Sequence, residues 1–247
     1  MTHCMAAPAA KIIKTNVTGA KILTPSINAS NGYETWMEDW LGDEVSGGII
    51  SNLYNIHAYM KTQTPEYTYQ NVVVNQLAPN SGGLVSGWTA LPWLLSETNW
   101  DPSTLECDNS NTADCTGQVV RWQAILNSNG ALNVSWYWWN ATIGDLSSGG
   151  TYSAAYYYMM KYMVGGKFTS ACSGTTGTTQ TWTCPFTDVN GNSDLWVWTN
   201  TTTNVSYTAT GYTNYWNLAG TCQAIPGSFS ITDEPYLLVT TSCSVEP

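Results

Sequence analysis

The sequence predicts an α/β protein in which a parallel sheet of the (β/α) barrel type is followed by a small antiparallel β domain. Short apolar runs alternate four times with helix-like segments before Phe168, which is the pattern of βαβ units. Those runs are nearly continuous, as expected of strands that are covered on both faces. After Phe168 the chain is rich in Thr, Trp and Tyr, is punctuated by Gly and Asn, and contains no Lys or Arg.

Local signals define each element of the first segment. In the helix that follows the first strand, Trp36, Trp40 and Leu41 recur at helical spacing. Two later helices end at Gly130 and Gly165. The predicted elements, in chain order, are the end of a helix at 6–15, a strand at 20–27, a helix at 33–45, a strand at 48–60, a helix at 64–78, a strand at 90–97, a helix at 117–130, a strand at 131–140 and a helix at 151–166.

A barrel is favoured over a dinucleotide-binding fold because no glycine-rich phosphate loop follows any of the strands. Barrel enzymes carry their chemistry at the carboxyl ends of the strands. Polar and aromatic residues gather at these ends, so the sequence predicts a site at one end of the sheet. They are Ser26, His57 with Tyr59, Glu97 with Trp100, and the run from Trp136 to Asn140.

The second segment has the signals of a small antiparallel β-sandwich. Alternating stretches rich in Thr, Trp and Tyr are separated by turn residues, and the run NGNS at 190–193 resembles a hairpin turn. Because the composition changes at Phe168, we predict two domains, a barrel segment at 1–168 and an all-β domain at 169–247.

The amino-acid composition argues against some classes of binding partner and favours others. The formal net charge of −10 argues against a nucleic-acid or anionic-membrane partner, and no apolar stretch is long enough for a transmembrane helix. The chain has 13 Trp and 15 Tyr against 3 Phe, with only 10% charged residues. Flat rings with a hydrogen-bonding edge suit contact with sugar rings, although a Trp-rich core explains the same composition.

The seven Cys residues favour an oxidising compartment. Six of them form three close pairs that would each close a short loop, as in secreted proteins, and Cys4 is left over. The pairs are Cys107 with Cys115, Cys172 with Cys184, and Cys222 with Cys243. None has the spacing of a zinc site and only two His are present, so we expect no metal and no cofactor. Six Asn-x-Ser/Thr sequons also fit a secreted protein.

Glycoside hydrolysis needs two carboxylates that flank the scissile bond, and Glu97 stands where a barrel would present one. From spacing alone, Glu97 is also explained as a solvated acid at the end of a strand. His57 could orient a carboxylate or bind a sugar hydroxyl, or it could be a histidine satisfied within the fold. Trp136, Trp138 and Trp139 could form a stacking platform or pack between the barrel and its helices.

Three segments, in order, resemble consecutive strands of one enzyme family. LYNIHAYM, LPWLLSETNW and VSWYWWN look like the sixth, seventh and eighth strands of clan A glycoside hydrolases, nearest to secreted bacterial proteins related to families 39 and 5. AKILTPSI looks like the fifth strand, and the stretch from SAC to SITDEPYLLV resembles the β domain that packs on these barrels. The resemblance implies a partial (β/α)8 TIM-type barrel made of strands five to eight, followed by that β domain.

The resemblance implies a role for each candidate site residue. In clan A the seventh strand ends in the nucleophilic Glu, after a Pro, an aromatic residue, two further residues and a Thr or Ser; PWLLSE matches, which places the nucleophile at Glu97. The His-x-Tyr of the sixth strand, which lines the sugar subsite, matches His57 and Tyr59. The aromatic cluster of the eighth strand implies a platform at Trp139 or Trp136. The predicted substrate-binding residues are His57, Tyr59, Trp100, Trp136 and Trp139.

The family's acid/base Glu has no counterpart in these residues. It follows an Asn at the end of the fourth strand, and this sequence contains no Asn-Glu dipeptide; the nearest carboxylates are Glu34, Glu38 and Asp145. We therefore expect the C-terminal half of a secreted, retaining hydrolase of β-linked glycans, whose open barrel edges could also drive self-association. Its expected partner is an oligo- or polysaccharide. The other hypotheses are a carbohydrate-binding protein without catalysis and a structural surface protein.

Overall fold

The structure is a computed structural model that describes residues 2–26, 33–60, 63–100, 112–136, 157, 161–244 and 247. Its helical segments are a π-helical turn at Thr2–Ala6, α1 (Ala7–Asn16), α2 (Tyr33–Gly47), α3 (Pro65–Thr68), a π-helical turn at Tyr69–Val73, α4 (Val74–Leu77), a 3-10 turn at Ala78–Ser81, and α5 (Thr112–Ser128). Its strands are β1 (Tyr54–Met60), β2 (Trp93–Trp100), β3 (Ala131–Trp136), β4 (Lys167–Phe168), β5 (Ser173–Gly174), β6 (Thr181–Thr187), β7 (Ser193–Thr199), β8 (Val205–Tyr207), β9 (Asn214–Trp216), β10 (Cys222–Ala224), β11 (Phe229–Ile231) and β12 (Tyr236–Val239).

These elements make a mixed α/β protein, which confirms the predicted class. β1, β2 and β3 form one sheet in that order, and β2 runs parallel to β3, with Trp93 opposite Ala131. The strand predicted at 20–27 is reduced to a single parallel bridge between Leu23 and Leu53. Pro25 has no N–H with which to extend that ladder. Closure of such strands into part of a barrel stays a prediction.

The bounds of several elements differ from the predicted ones. The predicted strand at 48–60 begins at Tyr54, and the predicted helix at 117–130 already begins at Thr112. Residues 137–140 of the strand predicted at 131–140 lie outside the described residues, as does most of the helix predicted at 151–166, of which 157 and 161–163 are described as helical.

The chain divides into two compact units that interleave along the sequence. The first unit comprises Met1–Tyr59, Tyr67–Thr98 and Gly130–Tyr137, and the second comprises Met60–Glu66, Asn99–Asn129 and Trp138–Pro247. The parallel sheet thus belongs to the first unit, whereas α5 belongs to the second unit with the β-rich segment. The predicted domain boundary at Phe168 stays a prediction.

In the first unit, one face of α2 and one face of β1 are buried. The buried residues of α2 recur every three or four positions, as an amphipathic helix requires; they are Tyr33, Met37, Trp40, Leu41 and Glu44. The fully buried side chains of β1 occupy alternate positions; they are Tyr54, Ile56, Ala58 and Met60.

Glu44 is a buried acid whose two oxygens are used by the fold. Oε1 accepts hydrogen bonds from Trp40 Nε1 at 2.8 Å and from Ser51 Oγ at 2.6 Å. Oε2 accepts the backbone N–H of Ile50 at 3.2 Å and of Ser51 at 3.0 Å. The carboxylate therefore ties the end of α2 to the segment that enters β1.

The second unit contains an antiparallel sheet of the order β10-β9-β12-β7-β6-β4, in which β5 also pairs with β6, and a separate pair of β11 with β8. The hairpin of β6 and β7 aligns Trp182 with Trp198, whose rings stack at 6.4 Å between centroids and 7° between planes. The turn at 188–192 confirms the hairpin predicted from NGNS. The sandwich arrangement stays a prediction.

Two of the three predicted disulfides are confirmed: Cys172–Cys184 and Cys222–Cys243. The pair of Cys107 with Cys115 lies outside the described residues, and Cys4 is a free, exposed thiol. Among the described helices, none combines the length and the apolar character that a membrane crossing requires.

Candidate functional site

β1 presents two of the predicted site residues on one face. His57 and Tyr59 are half-buried, whereas the neighbouring Ile56 and Ala58 are fully buried. Because successive side chains of a strand point to opposite faces, His57 and Tyr59 share a face of the sheet. Asn55, two residues earlier, lies on that face as well.

Beside His57, the side chains of β2 do not alternate regularly between buried and exposed positions. Leu95 and Thr98 are fully buried, while between them Ser96 is exposed and Glu97 is half-buried. The register with β3 shifts between Leu95 and Thr98, an irregularity of the β-bulge kind. Because a bulge re-aims the side chains around it, two consecutive residues, Ser96 and Glu97, both approach the histidine.

The ring of His57 lies between these two side chains. Nε2 is 2.8 Å from Ser96 Oγ, which is a hydrogen bond, and Nδ1 is 4.0 Å from Glu97 Oε2, which is too long for one. The side chains of His57 and Glu97 are 20% and 30% exposed. The carboxylate is therefore held near the ring and remains accessible from solvent.

Burial lowers the pKa of His57 below its usual value, and the nearby Glu97 carboxylate opposes that shift. The imidazole is therefore neutral near pH 7, with one nitrogen that donates and one that accepts. A neutral ring carries no positive charge with which to form an ion pair with Glu97.

Hydrogen bonds around the site join three segments of the first unit. Asn55 Oδ1 accepts the N–H of Ser96 at 3.1 Å, and the N–H of Asn55 donates to Thr24 Oγ1 at 2.9 Å. One step further along the strands, Thr98 Oγ1 donates to the carbonyl oxygen of Ala58 at 2.6 Å. These bonds position β2 against β1 on both sides of the bulge.

Sequence reasoning did not select Ser96 or Asn55. The alternation of β1 alone would have placed Asn55 on the face of the histidine, because it lies two residues before it. Regular alternation directs Ser96 away from the side that Glu97 faces, and its one signal in the sequence was its place before Glu97 in PWLLSE. The structure brings it to the site through the bulge.

The structure describes only some of the tryptophans that were predicted to bind substrate. Trp136, the last residue of β3, is half-buried and pairs in register with Thr98, the residue after Glu97. The structure therefore brings Trp136 to the same end of the sheet. Trp100 ends β2 but its side chain lies outside the described part of the chain, and Trp139 lies outside it entirely.

β1, β2 and β3 contain one acidic residue between them, Glu97. Of the other carboxylates considered, Glu34 and Glu38 lie on α2 rather than at a strand end, and Asp145 is outside the described residues. Within the described ranges, no three His, Cys, Asp or Glu side chains come together as they would around a metal ion.

No protein-family profile and no curated protein sequence matches the chain. Among solved structures, it is similar to a family 39 glycoside hydrolase from the gut symbiont Bacteroides cellulosilyticus WH2, with a TM-score of 0.56 and 12% identity over 82% of this chain and 47% of that one. It also aligns with a glucosidase from Croceicoccus marinus, at TM-score 0.48 and 12% identity over 90% of this chain and 48% of that one. A GH51 arabinofuranosidase from Xanthomonas axonopodis pv. citri aligns at TM-score 0.45 and 10% identity, over 98% and 62% of the two chains.

The chain thus spans less than half, 47%, of the family 39 structure. At 12% identity the likeness concerns the fold alone. The predicted resemblance to glycoside hydrolases is supported at that level.

Proposed function

We propose that this chain is part of a retaining glycoside hydrolase that acts on β-linked glycans, with Glu97 as the nucleophile. One observation carries the proposal: a half-buried carboxylate on a parallel strand, 4.0 Å from a histidine that burial keeps neutral. A nucleophilic carboxylate must be reachable by the substrate, and the side chain of Glu97 is 30% exposed. The fold likeness to a family 39 glycoside hydrolase supports the same class of reaction.

In the proposed mechanism, an oxygen of Glu97 attacks the anomeric carbon of the sugar. The bond to the leaving oxygen breaks, its electron pair stays on that oxygen, and a second carboxylic acid protonates it. Water then hydrolyses the glycosyl ester and restores the carboxylate of Glu97. In a retaining site the second carboxyl group lies ~5–5.5 Å from the nucleophile. We propose that it comes from a segment other than β1, β2 and β3.

The remaining site residues are proposed to bind the sugar. Neutral His57 can exchange a hydrogen bond with a sugar hydroxyl, while Ser96 holds the orientation of its ring. Tyr59 lies on the same face and Trp136 at the same end of the sheet, where both can line the subsite. We propose Trp100 and Trp139 as further stacking partners, each worth about 0.5–1.5 kcal/mol by analogy with aromatic pairs.

Hydrolysis of 4-nitrophenyl β-glycosides by the protein and by two acidic-residue variants tests the proposal. Glu97→Gln should abolish turnover without unfolding the protein, whereas Glu34→Gln, at an exposed position of α2, should leave turnover unchanged. In Glu97→Ala, added azide should attack the anomeric carbon in place of the carboxylate and form the α-glycosyl azide. Turnover by Glu97→Gln at the wild-type rate would rule out the nucleophile role.

A second candidate function is carbohydrate binding without catalysis. The observation that favours it is the single carboxylate of β1–β3. In that case calorimetry should detect oligosaccharide binding that survives Glu97→Gln, falls in Trp136→Ala, and is accompanied by no hydrolysis. A defined oligomer or filament without sugar binding would instead indicate a structural surface protein. The two disulfides support the proposal that the protein is secreted.

A further inference from the structure

Two acidic side chains lie buried at the tip of the β6–β7 hairpin in the second unit. Asp194, the second residue of β7, is 2% exposed, and Asp188, in the turn, is 5% exposed. Asp194 stands opposite Phe186 in the register of the hairpin, and Asp188 follows Phe186 by two residues. The two acids are thus diagonal neighbours across the hairpin, ~7–8 Å apart at Cα, and their carboxylates are near enough to repel each other.

Asp194 is buried, and among the described residues neither of its carboxylate oxygens has a hydrogen-bond donor. No Lys or Arg follows Lys167 in the sequence. An unpaired buried charge is strongly unfavourable, so buried carboxylates are paired, protonated or bound to a metal ion. The fold itself provides no cationic side chain from the β-rich segment to pair with this one.

The turn brings further oxygen atoms to the same place. Asp188, Asn190, Asn192 and Asp194 occupy alternate positions in the run DVNGNSD. Asp188 Oδ1 accepts the N–H groups of Asn190 and Asn192 at 2.9 and 2.7 Å, and Oδ2 accepts Asn192 Nδ2 at 2.8 Å. An ionised carboxylate has about four acceptor sites, so Asp188 keeps capacity for one more partner.

We propose that this hairpin tip binds Ca²⁺, with Asp194 and Asp188 as the charged ligands. EF-hand loops use side chains at positions one, three and five and a main-chain carbonyl at position seven. This run shares the alternate spacing, but it places a carboxylate at position seven and lacks the Glu at position twelve. Side-chain and main-chain carbonyl oxygens of Asn190 and its neighbours would complete the set. Ca²⁺ accepts six to eight oxygens in irregular geometry, whereas Mg²⁺ demands a near-ideal octahedron, so a turn of this kind favours Ca²⁺.

Only two carboxylates contribute, and within the described residues no third acidic, His or Cys side chain joins them. Affinity of such sites rises with the number of charged ligands. We therefore expect a dissociation constant in the range of extracellular modules, ~10⁻⁴–10⁻³ M. The site lies in the second unit and is independent of the proposed glycosidase site of the first.

Thermal unfolding of the full chain tests the proposal. Metal is first removed by a chelator, and the wild type and two variants are then compared with and without Ca²⁺. Millimolar Ca²⁺ should raise the melting temperature of the wild-type protein by several degrees, because a ligand that binds the folded state stabilises it. Asp194→Asn should lose this rise, and without metal it should melt at or above the wild type, since it lacks the unpaired charge. Asp43→Asn, at an exposed position of α2, should keep the full rise.

A direct measurement on the unmodified protein covers the case in which Asp194→Asn does not fold. Tb³⁺ should show emission sensitised by Trp196, which is buried two residues from Asp194 on the same strand face, and Ca²⁺ should displace it at millimolar concentration. The absence of any Ca²⁺-dependent shift, a shift of equal size in Asp194→Asn, or a larger shift with Mg²⁺ than with Ca²⁺ would each overturn the proposal. The first of these outcomes would leave a protonated Asp194 as the explanation.

Discussion

Replacing Arg121 by Met should destabilise the second unit by about 3–5 kcal/mol, the usual effect of removing one partner of a buried ion pair. Arg121 and Glu66 are each 2% exposed, and Arg121 Nε lies 3.4 Å from Glu66 Oε1. The same oxygen accepts a hydrogen bond from Trp198 Nε1 at 2.7 Å, and Arg121 Nη1 donates to the carbonyl oxygen of Thr199 at 3.2 Å. In the part of the chain that the structure describes, Glu66 Oε2 has no hydrogen-bond partner, so without the guanidinium a buried charge is left uncompensated.

A double-mutant cycle separates this effect from lost packing. Glu66→Gln alone leaves the guanidinium unpaired, whereas Glu66→Gln combined with Arg121→Met removes both charges. The double variant should therefore lose less stability than the sum of the single variants, with a coupling energy of roughly 1–3 kcal/mol. Urea unfolding followed by Trp fluorescence measures the four proteins, and hydrogen exchange of peptides from α5 assigns the change to the second unit. Effects that add to within ~0.5 kcal/mol would refute the coupling.

Gly117→Ala should lower the melting temperature, because a Cβ there would lie 2.7 Å from a main-chain oxygen. Gly42→Ala should instead raise stability by about 0.5–1 kcal/mol, since Gly42 lies within α2 and has open space around it. Calorimetry of the two variants checks the opposite signs, and equal shifts would contradict the packing around α5. The contribution of His57 to the free energy of unfolding should fall as the pH drops below about 6.5: burial lowers the pKa of His57 in the folded state, so the unfolded chain takes up the proton first. In His57→Gln the free energy of unfolding, measured with urea between about pH 5 and 7, should depend less steeply on pH. An unchanged pH dependence would assign the effect to other groups.

The hydrophobic pattern of the sequence predicted best those elements that bury one face and expose the other. The alternating stretch TWTCPFT is strand β6, in which Trp182, Cys184 and Phe186 are buried. The helix predicted at 64–78 instead divides into α3, a π-helical turn, α4 and a 3-10 turn. Asn71 and Asn75 within it donate side-chain hydrogen bonds to the carbonyls four residues earlier, at 2.9 and 2.8 Å. Such bonds compete with the helical ladder, and apolar periodicity contains no signal for them.

The candidate site shows a different limit of sequence reasoning. Chain order predicted that His57 and Glu97 stand at neighbouring strand ends, and the structure places them 4.0 Å apart. In a regular strand Ser96 would face away from Glu97, yet Ser96 Oγ is 2.8 Å from His57 Nε2. The difference arises from the register shift between β2 and β3. That shift is a property of two strands separated by α5 in the chain, so no local window of sequence contains it.

The register shift also bears on the proposed nucleophile role of Glu97, because it decides which side chains His57 contacts. A histidine whose two nitrogens both faced carboxylates would be held as a cation, and its ion pair would neutralise the charge of Glu97. Here one nitrogen is occupied by the hydroxyl of Ser96, burial lowers the pKa of the ring, and Glu97 lies just beyond hydrogen-bonding distance of the other nitrogen. Removing the serine hydroxyl frees Nε2 to rotate toward solvent or toward Glu97. We therefore expect Ser96→Ala to change the pH profile of any reaction at Glu97 more than its substrate binding, which no loss of packing alone would do.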